Sequence, residues 1–150
     1  MEIADACTNF VLNRSQVVAL FWCLDDFDGY NIPGGDLSIA FVDHGVMTSI
    51  HGKFLQDPTP TDVITFDGDS SMDFAGEIIV CPDYGLDRCK EFGTTLDYEI
   101  LLYLVHGYLH LAGLDDVNGE AVPKMRAAET KCLSHLNSIM DKGWNLIKYA

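Results

Sequence analysis

Between Ile100 and Leu114 the chain runs for 15 residues without a formally charged side chain, its longest such stretch. A bilayer-spanning helix needs about 20 apolar residues. This run is shorter, and it carries two histidines that hydrocarbon would penalise. It therefore predicts a helix buried inside a folded domain. Leu96, Ile100, Leu101, Leu104 and Val105 supply an apolar stripe at helical spacing. Thr94-Thr-Leu-Asp97 has capping-box character ahead of it, and Gly113 stops it, since glycine adopts the left-handed conformation cheaply.

Other segments fall into place around this helix. Ser15 reads as the cap of an amphipathic helix through Val17, Val18, Leu20, Phe21 and Leu24. After Gly29 and the Pro33-Gly34-Gly35 turn, Leu37 to Val42 reads as a strand. Asp43 caps a second helix whose Val46, Met47, Ile50 and Phe54 share a face, and Asp57-Pro58-Thr59-Pro60 breaks it. Val63 to Phe66 and Ala75 to Cys81 are strand candidates joined by the acidic Asp67 to Asp73 loop. One helix follows Pro82 and ends at Gly93, and the last runs from Pro123 to about Asp141. Helices interleaved with a few strands predict an α+β fold, one small mixed sheet packed with helices. The chain's 150 residues fit a single domain.

Composition narrows the function. An apolar fraction of 48% with 21% charged residues is ordinary globular composition. The net charge of −14 argues against gripping nucleic acid by bulk electrostatics, which takes clustered lysine and arginine. Five scattered cysteines (Cys7, Cys23, Cys81, Cys89, Cys132), with no CxxC pair, read as small buried hydrophobes in a reducing cytosol. The start, Met-Glu-Ile-Ala-Asp, is acidic where a signal peptide is basic. A soluble, cytoplasmic protein is expected.

The chemistry concentrates on the uncharged helix. His106 and His110 lie four residues apart, so their imidazoles project from one face. Two such rings are a two-point grip for Zn²⁺. If the chain folds back after Gly113, Asp115 or Asp116 would meet them, and a carboxylate completing a two-histidine site leaves one position open for water. An HxxxH pair on its own is equally read as two histidines satisfied by hydrogen bonds. Zinc peptidases of the HExxH kind place a glutamate base after the first histidine. Gly107 stands there, so no base occupies that place.

His106-Gly-Tyr-Leu-His-Leu-Ala-Gly-Leu-Asp-Asp116 resembles the HGxLHLxGxDH signature of the YbeY family of bacterial endoribonucleases. Pro60 to Phe66 (PTDVITF) is similar to that family's PTDVLSF, and Ala75 to Ile78 (AGEI) to its LGDI. Met125 and Glu129 match a downstream M-x-x-x-E. The resemblance implies one α+β domain with a zinc-type metal on a central helix. It implies single-strand-specific endoribonuclease activity in ribosomal RNA 3′-end maturation and ribosome quality control, with small-subunit components as partners. Neither a membrane nor an organic cofactor is implied. The metal ligands carry over to His106, His110 and Asp116, one Zn²⁺ per chain, with other divalent metals admitted. Asp116 departs from the family's third histidine. A carboxylate adds negative charge, lowers the metal's Lewis acidity and widens metal choice towards Mn²⁺ or Mg²⁺. Asp115 is an orienting group or a competing ligand.

A second departure concerns phosphate. The family's YR pair falls on Phe54-Leu55, so the arginine is replaced by leucine. Lys53 could substitute only as a point charge. Thr61 and Asp62 read as substrate contacts, or as groups that lock the turn entering a strand. Glu77 reads as a cleft-lining or outward acid, and His51 as structural or exposed. His44 and His135 show no partner spacing and read as surface residues, whereas Trp22 and Trp144 read as packing groups. These features allow an endoribonuclease acting through a metal-activated water, a binding factor of the same fold with weakened chemistry, or a zinc hydrolase of another ester or amide. For a chain this acidic, RNA binding is expected to be weak and dependent on partners.

Overall fold

The computed structural model describes residues 1–55 and 61–150, with Leu55 described by its backbone. The elements run β1 (Glu2–Ala6), β2 (Phe10–Leu12), α1 (Arg14–Asp25), β3 (Asp36–Val42), α2 (His44–Leu55), β4 (Val63–Asp69), a 3-10 turn (Ser70–Met72), β5 (Phe74–Val80), α3 (Pro82–Phe92), α4 (Leu96–Leu111), α5 (Ala121–Ile139) and β6 (Ile147–Tyr149). The fold is α+β, as the alternation of patterns predicts. The expected break at Asp57 to Pro60 lies outside the described residues.

Four strands form a mixed sheet in the order β1-β3-β5-β4. β1, β3 and β5 run parallel, and β4 returns antiparallel to β5 as an edge. Ile78-Ile79-Val80-Cys81 is a continuous apolar run because this sheet is covered on both faces. Ile78 and Val80 join the large core with α1, α4 and α5, whereas Ile79 and Cys81 join Val42, Met47 and Ile64 in a smaller one. β2 pairs with β6 in a separate two-stranded ribbon. The expected single sheet is therefore a four-stranded sheet plus a ribbon.

The uncharged run is the centre of this packing. Ile100, Leu104, Val105 and Leu109 are fully buried, and burying each contributes about 1.5–3 kcal/mol. Gly107 makes the close approach possible, because a Cβ there would lie 2.7 Å from Ile78 Cγ2 on β5. α4 is thus pressed onto the sheet at the residue next to His106.

Several local readings are corrected. α1 is capped by Asn13, whose side chain accepts from the Gln16 N–H, and Ser15 already lies inside the helix. The cap of α4 is Thr95, accepting from the Tyr98 N–H, while Asp97 accepts from the backbone of Leu146 and Ile147 instead. Asp43 stands at the start of α2, but its carboxylate accepts from Thr8. Trp144 is buried, donating to the Leu136 carbonyl, whereas Trp22 is 69% exposed. His44 and His135 are half-buried, each with a buried Nε2 that lacks a hydrogen-bond partner. All five cysteines are free: Cys81, Cys89 and Cys132 are buried, and Cys7 and Cys23 are half-buried. Among the described residues no helix is long and apolar enough to cross a membrane.

Candidate metal centre

The site forms where α4 ends. Gly113 adopts φ 100°, a left-handed conformation that reverses the chain. Its N–H donates to the His110 carbonyl, and the Leu114 N–H to that of Leu109. Asp115 then fixes the returning loop, its Oδ1 accepting from the N–H groups of Asp116 (2.7 Å) and Val117 (3.1 Å). That turn aims Asp116 back at the helix. Asp115 orients the loop through its backbone contacts and stands outside the group of donors.

Three donor atoms converge. His106 Nε2 and His110 Nε2 are 3.0 Å apart, and Asp116 stands 3.3 Å from the first through Oδ2 and 3.4 Å from the second through Oδ1. The two rings meet edge to face, with centroids 4.5 Å apart. A tetrahedral Zn²⁺ with ligands at about 2.0–2.1 Å has donor–donor edges of about 3.3–3.4 Å. The nitrogen pair and the contact of each carboxylate oxygen fall close to such an edge, and one ligand atom from each of the three residues lies within 4.8 Å of the other two. Two neutral imidazoles and one carboxylate are also a donor set that divalent metals accept. The residues present fit a divalent ion, and these three are the group that could hold one among the described residues.

Behind this face lies Glu129, on the inward side of α5 between Met125, Ala128 and Cys132, and only 3% exposed. Its Oε2 lies 3.6 Å from His106 Nδ1 and accepts from Arg126 Nη1 at 2.8 Å. Burial alone would push this carboxyl up. Contact with the His106 ring and the Arg126 guanidinium outweighs burial and holds Glu129 below the usual glutamate range. An ionised acid facing Nδ1 favours the proton on that nitrogen, which leaves the Nε2 lone pair facing Asp116.

Asp62, Tyr103, His106, Asp116, Arg126 and Glu129 line a cavity of about 160 Å³. Asp62 locks the turn entering β4, its Oδ1 accepting from the Val63 N–H at 2.8 Å and from Thr61 Oγ1 at 3.3 Å, and it also lines the cavity. Thr61 acts behind it as a turn residue. Lys53 is exposed at the end of α2 with Nζ 5.4 Å from the Phe54 ring centroid, and Glu77 is half-buried on β5; neither lines the cavity. The side chain of Leu55 and the position of Pro60 lie outside the described residues. Sequence reasoning gave Glu129 no role and did not single out Arg126. The signal for Glu129 was an acid at the apolar spacing of α5.

The model of the family described as endoribonuclease YbeY matches residues 16–137. A Protochlamydia amoebophila protein named endoribonuclease YbeY is 35% identical over 108 residues, covering 69% of this chain and 72% of that protein. A Nocardia farcinica protein of the same name is 31% identical over 113 residues, covering 67% of this chain and 61% of its own length. The matched region thus spans about three-fifths to three-quarters of these relatives. The solution structure of TM1509 from Thermotoga maritima superposes with a TM-score of 0.60 at 23% identity, covering 93% of this chain and 91% of that one. That likeness speaks for the fold.

Proposed function

The chain belongs to the endoribonuclease YbeY family, and from that premise we propose that it is a metal-dependent hydrolase cutting single-stranded RNA. The observation carrying this reading is the convergence of His106, His110 and both Asp116 carboxylate oxygens, in contacts of 3.0–3.4 Å, with ionised Glu129 behind it. His106, His110 and Asp116 would hold the ion, one per chain, with Zn²⁺ suited to the set and Mn²⁺ or Mg²⁺ admitted by the carboxylate. When bound, a divalent ion supplies an acidified water and polarises a phosphoryl oxygen.

The chain's own groups do the rest. Glu129 holds the His106 tautomer and ring orientation through Nδ1. Asp115 fixes the loop that presents Asp116. Asp62 sits on the cavity wall, anchored by Val63 and Thr61, as an acceptor for a donor group of the substrate. The proposed setting is ribosomal RNA maturation and ribosome quality control in the cytoplasm, with small-subunit components as partners. With −14 net charge, delivery by such partners explains how an acidic chain reaches RNA.

Metal analysis of purified protein against His106→Ala and His110→Ala variants tests the site. About one divalent ion per wild-type chain and none in the variants is expected, and equal metal in all three sinks it. Incubation with single-stranded RNA tests the activity. Cutting that disappears with chelator and in His110→Ala supports the hydrolase. RNA left intact under Zn²⁺, Mn²⁺ and Mg²⁺ favours a binding factor of the same fold.

A further inference from the structure

Resting on the reading that the substrate is RNA, we infer that Arg126 is the phosphate-contacting residue of this chain, at the mouth of the cavity that holds His106 and Asp116. Arg126 is the one lysine or arginine among the residues described as lining that cavity; Asp62, Asp116 and Glu129 make the rest of it acidic. A phosphodiester entering there meets three carboxylates and one guanidinium.

The guanidinium is built for a second partner. Its contacts to Glu129 run through Nη1 alone, to both carboxylate oxygens. Nε and Nη2 have no hydrogen-bonded acceptor among the described residues, and the side chain is 61% exposed while Glu129 is 4% exposed. One nitrogen is therefore pinned on a buried acid, and the opposite edge keeps its parallel N–H groups on a side chain that is mostly exposed. Pinning removes part of the rotamer entropy an arginine loses on binding, and that edge matches two phosphate oxygens. Glu129 also lies against His106, so the same carboxylate locates both the metal-ligand candidate and the phosphate contact. The arginine absent at Leu55 thus has a counterpart from α5.

Arg126→Gln and Arg126→Lys test this. The glutamine keeps a donor for Glu129 but loses the charge and the opposite edge, and the lysine keeps charge without the fork. Binding of a fluorescent single-stranded oligoribonucleotide is read by anisotropy in EDTA across a salt series, and kcat and KM on metal-loaded protein. Arg126→Gln is expected to weaken binding by about 10–100-fold and to shallow the log–log salt slope by about 0.7. KM measured at saturating metal should rise, the loss of affinity in EDTA should exceed that of Glu129→Gln, and Arg126→Lys should recover only part of the loss. If wild type cuts RNA and Arg126→Gln matches it in affinity and salt slope, the inference is overturned and the functional reading stands. Slower cutting with unchanged affinity and slope also overturns it, leaving Arg126 as a brace for Glu129. If wild type binds but does not cut, and Arg126→Gln loses the slope, the inference stands and the hydrolase reading falls. Wild type that neither binds nor cuts overturns both.

Discussion

Two of the cavities beside α4 differ in kind, and the larger of the pair is the less suited to chemistry. One, about 450 Å³, lies under Trp22 and is lined by Phe21, Asp25, Ile32, Leu37 and Tyr108 among others. Its central polar pair is already satisfied, with the Tyr108 hydroxyl donating to Asp25 Oδ1 at 2.8 Å. Burial, and then that contact with Asp25, push the Tyr108 phenol well above its usual range, so it stays protonated. The other cavity, about 160 Å³, is lined by His106 and Asp116, which His110 joins in the donor group. Volume follows from how helices splay. Reactivity follows from donors that the fold forces together and leaves incompletely paired.

Substitutions on the two sides should therefore separate metal binding from stability. The largest effect is expected for His106→Ala or His110→Ala, which should abolish metal binding and cut RNA hydrolysis by about 1,000-fold or more, as read by metal analysis and cleavage rates on folded protein. Glu129→Gln comes next. It keeps the volume but removes the charge facing His106 Nδ1, so metal affinity should fall about 10–100-fold in a competitive chelator titration. Gly107→Ala acts on both sides at once. Its Cβ would meet Ile78 Cγ2 at 2.7 Å, and denaturant unfolding should show a loss of about 1–3 kcal/mol. Tyr108→Phe should cost only about 1 kcal/mol, from the lost bond to Asp25, and leave metal affinity untouched. A change in metal affinity there would break the contrast.

The smallest effect concerns pH. Glu129 sits below its usual range in the folded protein. Its contacts therefore stabilise fully above the unfolded glutamate pKa, and that contribution is lost as pH falls through the lower folded value. Melting from about pH 6 to about pH 3 should show wild type losing more stability than Glu129→Gln.

What the sequence reveals of this molecule tracks how local each cause is. α4, its glycine stop and the His106–His110 pair are legible because spacing within one helix decides them. The glycine stop leaves Asp115 and Asp116 equally placed to return, and only the resemblance to the YbeY signature singles out Asp116. β1 is not legible: Glu2–Ala6 (EIADA) shows no period-two apolar pattern and is mostly exposed, its place set by pairing with β3. β2 and β6 have three residues each, too few to show a period. Arg126 and Glu129 are an i,i+3 pair on α5, but no spacing along the chain announces that Glu129 meets His106 on α4. Trp22 shows the converse. Its place beside Phe21 on α1 suggests packing, yet the large cavity leaves it at the surface.

The fit of Gly107 against Ile78 also limits where this scaffold can go by point mutation. One codon-sized step, Gly107→Glu, would write the HExxH motif of a zinc peptidase into α4. In this fold that carboxylate would be driven into the sheet beneath the helix rather than towards the ion, displacing Ile78 and burying an unpaired charge. Two neighbouring metal chemistries that differ by one letter in sequence are thus kept apart by a single van der Waals contact, and a lineage could cross between them only by first lifting the helix off its sheet.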